Sequence, residues 1–155
     1  MTDLFSLNEI TVSYSRKSKL TDLPKITCSK DVYDLVYPYW ITDIDHRESF
    51  KILLLSRANR VIGISNLFTG GLSGVVVDPK LIFQTALKCN SNSIILMHNH
   101  PSGNLKASEA DLKLTNKIVG IGKVLDLPVL DHIIFTSESY CSLADEGEIK
   151  PSRAC

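Results

Sequence analysis

The stretch Met97–Asp111 holds most of the chain's chemistry: His98-x-His100, followed by Ser108-x-x-Asp111. On an extended backbone, residues two apart point to the same side with Cα atoms about 6.5 Å apart. Two imidazoles so placed can converge on one metal ion, at about 2.0–2.1 Å from each nitrogen. Asp111 falls in the first turn of a helix that Ser108 can start, and the loop of Pro101, Gly103 and Asn104 can fold it back. Three ligands then leave a fourth position open to water, an arrangement of catalytic type. A plainer reading stands beside this one. Ser108-Glu109-Ala110-Asp111 is also a capping-box pattern, and both histidines can simply satisfy loop carbonyls.

These residues need elements to hold them. Ser93–Met97 reads as a buried strand running straight into the histidines, and Leu114, Ile118, Ile121 and Leu125 recur at helical steps after Ser108. Gly120 and Gly122 within that helix each cost about 1 kcal/mol against Ala, which points to close backbone packing. Further strands are expected at Ile10–Tyr14, where apolar and polar residues alternate, and at Phe50–Leu55 with Val61–Ile64 as a hairpin. Val75–Val77, Val129–Phe135 and Tyr140–Leu143 complete the set, with Gly70, Gly71 and Gly74 punctuating a loop. One helix is capped by Ser29, turns Val32, Leu35 and Val36 inward and ends at Pro38. Another opens at Pro79 and runs to about Lys88, with Leu81, Ile82, Thr85 and Ala86 as its inner face. The aromatics Tyr33, Tyr37, Tyr39 and Trp40 read as core, His46 as surface. Intermingled strands and helices predict an α/β (α+β) fold, a mixed sheet flanked by helices.

Length and composition bound the rest. The 155 residues suit one domain, 44% hydrophobic and 22% charged, which argues against global disorder. The 17 basic and 17 acidic residues cancel, so no global field attracts nucleic acid, membrane or acidic substrates. An exception is the arm Arg16–Lys30, with Arg16, Lys17, Lys19, Lys25 and Lys30 against Asp22 alone; nucleic acid is weakly supported as a partner on this basis. Cys28, Cys89, Cys141 and Cys155 form no CxxC pair, Met1–Ser6 lacks the pattern of a signal peptide, and no apolar run approaches a membrane span. The expectation is a cytoplasmic protein with free thiols. The organisation reads as residues 1–26, an N-terminal strand and basic arm; 27–149, the domain; and 150–155, a polar tail continuous with a fraying stretch from Asp145.

His98-x-His100-x₇-Ser108-x₂-Asp111 resembles the JAMM zinc motif of the JAB/MPN metallopeptidase domain. The string His98-Asn99-His100-Pro101-Ser102-Gly103 and the later Leu130-Asp131-His132-Ile133-Ile134 are similar to the RadC branch of that family, and the similarity runs from about Thr27 to Gly147. The resemblance implies a cytidine-deaminase-like architecture, zinc held by His98, His100 and Asp111, and Ser108 as the serine that steadies a tetrahedral oxyanion. Zinc deaminases themselves need H-x-E with a downstream PCxxC, and neither is present.

Two departures from the family pattern matter. RadC proteins usually carry an N-terminal helix-hairpin-helix region, for which residues 1–26 offer no pattern. The family's general-base glutamate falls at Ser65, and no Asp or Glu occurs between Glu48 and Asp78. Loss of a general base costs about 10²–10⁴-fold in rate. Asp131 reads either as a carboxylate orienting a zinc histidine or as a buried aspartate bonded to loop amides. The expected function is a JAMM-type zinc metallopeptidase or isopeptidase with weakened activity, acting on a protein or peptide and linked through its RadC likeness to DNA repair. The alternatives are a non-catalytic zinc-binding scaffold and a DNA-associated accessory protein, the latter marked by steep salt dependence of DNA affinity.

Overall fold

The computed structural model of the protein describes residues 10–70 and 74–150. Five strands, β1 (Ser49–Leu55), β2 (Val61–Thr69), β3 (Ser93–Asn99), β4 (Val129–Phe135) and β5 (Tyr140–Ser142), form one sheet in the order β2-β1-β3-β4-β5. Every neighbouring pair is antiparallel except β3–β4, which is parallel. A parallel pair needs a long crossover, and helix α3 (Glu109–Val124) supplies it. The other helices are α1 (Ser29–Val36) and α2 (Pro79–Lys88). The result is the mixed sheet with flanking helices expected of this pattern.

Alternation along β1 and β3 splits the core in two. Leu53, Leu55, Ile95 and Met97 pack with Val32 and Val36 of α1 and with Trp40. Phe50, Ile52, Leu54, Ile94 and Leu96 pack on the opposite face, against Ile82, Phe83 and Ala86 of α2 and Ile118 of α3. Both faces of these strands are covered, which is why their sequences are continuous apolar runs.

Several expectations need correction. Ile10–Tyr14 forms no strand: Ile10 is 86% exposed and Val12 71%, so the alternation faces no partner among the described residues. Val75–Val77 is not a strand either; Val75 and Val77 pack on the α2 side of the core without joining the sheet. The second arm of the hairpin runs beyond Ile64 to Thr69, and Leu81 of α2 faces solvent while Phe83 faces the core. Cys28, not Ser29, is the N-cap of α1. The capping oxygen comes from Asp31, which accepts from Thr27 N–H (2.7 Å), Thr27 Oγ1 (2.6 Å) and Cys28 N–H (3.1 Å). Those bonds, the Thr27 hydroxyl foremost, lower the Asp31 pKa to about 2. A 3-10 turn, Tyr37–Tyr39, continues past the end of α1 across Pro38. The segment after Asp145 does not fray at once, because Ile149 is 5% exposed and packs with Ile134 and Leu143. Residues 151–155 of the expected tail and 1–9 of the arm lie outside the described residues.

The two helix glycines separate. A Cβ on Gly122 would fall 2.5 Å from the Leu127 carbonyl oxygen, whereas one on Gly120 meets nothing within 4 Å. Gly122→Ala therefore destabilises the fold by about 1–3 kcal/mol, as overpacking does. Gly120→Ala stabilises it by about 0.5–1 kcal/mol through helix propensity. Denaturant unfolding of both variants checks the opposite signs.

Candidate metal centre

Three elements meet where β3 ends. His98 lies within β3 on the face covered by α2 and α3, and His100 follows directly, its N–H bonded to the Phe135 carbonyl at 2.9 Å. Asp111 stands in the first turn of α3, whose N-cap is Ser108. The ligand atoms of His98, His100 and Asp111 all lie within 4.8 Å of one another. His98 Nε2 is 2.9 Å from His100 Nε2 and 3.3 Å from Asp111 Oδ1; His100 Nε2 is 3.5 Å from Asp111 Oδ2.

Hydrogen-bond partners fix where the ring protons go when both rings are neutral. His100 Nδ1 lies 2.6 Å from the Asn104 carbonyl oxygen, which only accepts, so Nδ1 carries the proton and Nε2 presents a lone pair. His98 is set by a longer chain. Thr115 Oγ1 donates its one proton to the Asp111 carbonyl (2.6 Å) and so accepts from His132 Nδ1–H (2.6 Å). His132 is fully buried, and burial first, then neighbouring His98, pushes its pKa well below the ordinary value, so the ring is neutral. Its Nε2 is then an acceptor for His98 Nδ1–H at 2.8 Å. His98 Nε2 is left with a lone pair.

With both rings neutral, two lone pairs confront each other across 2.9 Å with a carboxylate alongside. Tetrahedral ligands at about 2.0–2.1 Å from a metal stand about 3.3 Å apart, close to all three separations here. The donor set fits a metal ion. Burial pushes the Asp111 carboxyl up, but hydrogen bonding with His100, His98 and Ser108 outweighs it and holds the group well below the carboxylate range. The bond with Asp111 in turn raises the His100 pKa, against the opposing effect of burial.

The RadC-like JAB domain family model matches residues 26–148. This chain belongs to the RadC-like JAB domain family. It is 42% identical to a UPF0758 protein of Flavobacterium johnsoniae over 132 residues, 85% of this chain and 57% of that relative. UPF0758 proteins of Salinibacter ruber and Methanosarcina mazei are 38% and 40% identical, over 81% of this chain and 53% and 54% of their own lengths. The chain spans about half the length of these relatives.

The other residues singled out for a RadC-like site fall as follows. Asp111 joins the capping and ligand readings: Oδ2 accepts from Ser108 N–H (2.7 Å) and Ser108 Oγ (2.7 Å), while Oδ1 faces His98. The Ser108 hydroxyl proton is therefore held by Asp111. Ser65 pairs with Ile52, which pairs with Leu96, so it shares the face of His98; it is not among the residues lining the cavity at the site. Asp131 faces the α1 side, where its carboxylate accepts from Ser142 Oγ (2.6 Å), Ala144 N–H (3.0 Å) and its neighbour's backbone N–H (2.7 Å). It bonds to loop amides and to no histidine ring. The residue that orients His98 is His132, which sequence reasoning passed over. The signal was present, because adjacent strand residues face opposite sides and only one of Asp131 and His132 can turn toward α3.

Groups that orient metal-bound histidines change affinity about 10–100-fold when removed. Thr115→Val deprives His132 Nδ1–H of its acceptor without touching a ligand. It lowers metal affinity by about 10–100-fold, measured by competition with a chromogenic chelator.

Proposed function

We propose that this RadC-like JAB domain is a zinc-dependent hydrolase of amide or isopeptide bonds in protein or peptide substrates. The observation that carries the reading is the convergence of His98 Nε2, His100 Nε2 and the Asp111 carboxylate beside an open cavity of about 820 Å³. Two imidazoles with one carboxylate suit zinc among the common divalent ions. His98, His100 and Asp111 would hold the ion, and zinc there would supply Lewis acidity toward a carbonyl and a water acidified to a pKa of about 7.

The chain's own residues do the rest. Asn104 and His132 keep protons off the metal-facing nitrogens, and Asp111 contributes the negative charge. Phe50, Val75, Val77 and Leu114 give the cavity apolar walls that thin the water around a bound peptide, while Ser102 and Asn104 offer polar contacts. Ser108 lies at the rim of this cavity. For its hydroxyl to donate to a developing oxyanion, it exchanges its bond to Asp111 for one to substrate; its backbone N–H keeps Asp111 in place meanwhile.

A second reading, a zinc-stabilised scaffold without turnover, is favoured by the serine at position 65. Metal analysis and cleavage of a pool of internally quenched peptides separate the two. Chelator-free wild-type protein contains near-stoichiometric zinc, and His100→Ala loses most of it. Asp111→Asn keeps a capping side chain but drops zinc affinity sharply with little change in metal-free stability. Peptide cleavage that disappears with chelator and returns with zinc supports the hydrolase; stoichiometric zinc without cleavage supports the scaffold.

A further inference from the structure

The face of the sheet opposite the metal centre holds a lysine for which the described residues supply no counter-ion. Lys51 follows Phe50 in β1, and strand alternation turns it to the α1 side. There its Nζ lies 4.9 Å from the centroid of the Trp40 ring. The residue is only 8% exposed, yet among the described residues no ion pair or side-chain hydrogen bond engages its ammonium. Lysine is rarely so buried without a partner, because an ammonium loses its hydration on leaving water. Burial accordingly lowers the Lys51 pKa, and the charge of Asp43 opposes that effect from a distance. The face of Trp40 attracts the cation but brings no neutralising charge.

The ammonium borders a cavity of about 270 Å³. Trp40 and Ser49 form its buried floor with Lys51, and Trp40 Nε1–H is already engaged by Ser49 Oγ at 2.6 Å. Asn66 is the register partner of Lys51 across the hairpin and lines the same cavity. His46 and Arg47 reach it from the loop before β1. The side chains of Asn66, His46 and Arg47 make no hydrogen bond or ion pair among the described residues. Their loop is nonetheless fixed, since Asn99 Nδ2 donates to the Ile44 and Arg47 carbonyls at 2.8 Å each. Donors held this way need little ordering when a ligand arrives.

We propose that this cavity binds a small organic carboxylate, whose oxygens meet Lys51 and the fork of Arg47 while Asn66 donates from the side. Three observations choose that class. A guanidinium presents paired N–H groups that match a planar carboxylate. Asp43 also lines the cavity and repels a second negative charge, which disfavours a phosphate dianion. Tyr39 lines it as well and is 65% exposed, offering a ring to the apolar body of the ligand. The site uses no residue of the metal centre, so it stands whether or not the domain hydrolyses anything.

Trp40 is the only tryptophan in the sequence, so its fluorescence reports directly on the surroundings of Lys51. The probe is benzoate, titrated at neutral pH into the full-length chain, with chloride holding the ionic strength constant. Calorimetry gives the affinity independently. Wild type shows a saturable fluorescence change with a matching heat of binding. Lys51→Met, which keeps side-chain length and apolar packing, binds benzoate about 10–100-fold more weakly, as loss of a charged hydrogen bond entails. Arg47→Gln, on the exposed loop, weakens binding about 2–10-fold. Lys113→Met, which removes an exposed lysine of α3, matches wild type. No saturable response in wild type overturns the proposal. Affinity unchanged in Lys51→Met overturns it too, and if that variant fails to fold, unchanged affinity in Arg47→Gln does so. Inorganic phosphate that binds more tightly than benzoate, and loses that affinity in Lys51→Met, overturns the choice of a carboxylate. An equal loss in Lys113→Met assigns the effect to net charge and overturns the site.

Discussion

Side alternation at the end of β3 is the constraint on which the site depends. His98 turns toward α2 and α3, Asn99 turns toward α1, and His100 turns back. Asn99 is wholly buried and uses its full capacity, accepting from Ser49 N–H and Oγ at 2.8 and 3.2 Å and donating to the Ile44 and Arg47 carbonyls at 2.8 Å each. Trp40 Nε1 completes the cluster with a bond to Ser49 Oγ at 2.6 Å. A one-residue slip of β3 would exchange its faces, burying imidazoles among the apolar residues near α1 and stranding the Asn99 amide. The same register that aims the histidines thus staples down the segment leading into β1.

The electrostatics follow from that placement. The hydrogen-bond path from His98 runs through His132 and Thr115 to the backbone carbonyl of Asp111, whose carboxylate faces the same two imidazoles. The centre is therefore a closed ring of contacts rather than a set of side chains aimed independently at one point. Each link has a single workable proton assignment while His132 stays neutral, and burial keeps it so. In a water-poor setting such a ring stiffens its members, since no link can be given up without leaving a buried polar atom unpaired.

Much of this was legible in the residues. Phe50–Leu55, Val129–Phe135, Pro79–Lys88 and the helix after Ser108 announced themselves by run length, caps and period, and His98, His100 and Asp111 by type and spacing. What was not legible depended on partners distant in sequence. Ile10–Tyr14 has the alternation of a strand but no neighbour to pair with among the described residues, and Val75–Val77 has apolar residues that find a core without a ladder. The choice between Asp131 and His132 turned on which face α3 covers, a fact of topology. Asn99 carries no motif of its own. Its role appears only when β1 is laid against β3, about fifty residues on.

The double attachment of Asp111 has a consequence for the lifetime of the protein. One carboxylate both starts α3 and faces the two imidazoles, so the crossover between β3 and β4 is seated by the same atoms that would grip an ion. An ion that binds the folded chain alone adds about 1.4 kcal/mol to stability for each tenfold of its free concentration above the dissociation constant. Here that increment is applied at the first turn of the longest helix described, the segment that joins the two central parallel strands. Partial opening of that crossover, the event a housekeeping protease exploits, then becomes rarer as the ion becomes more plentiful. A bound ion would in this way tie the abundance of the protein by mass action to the metal supply around it.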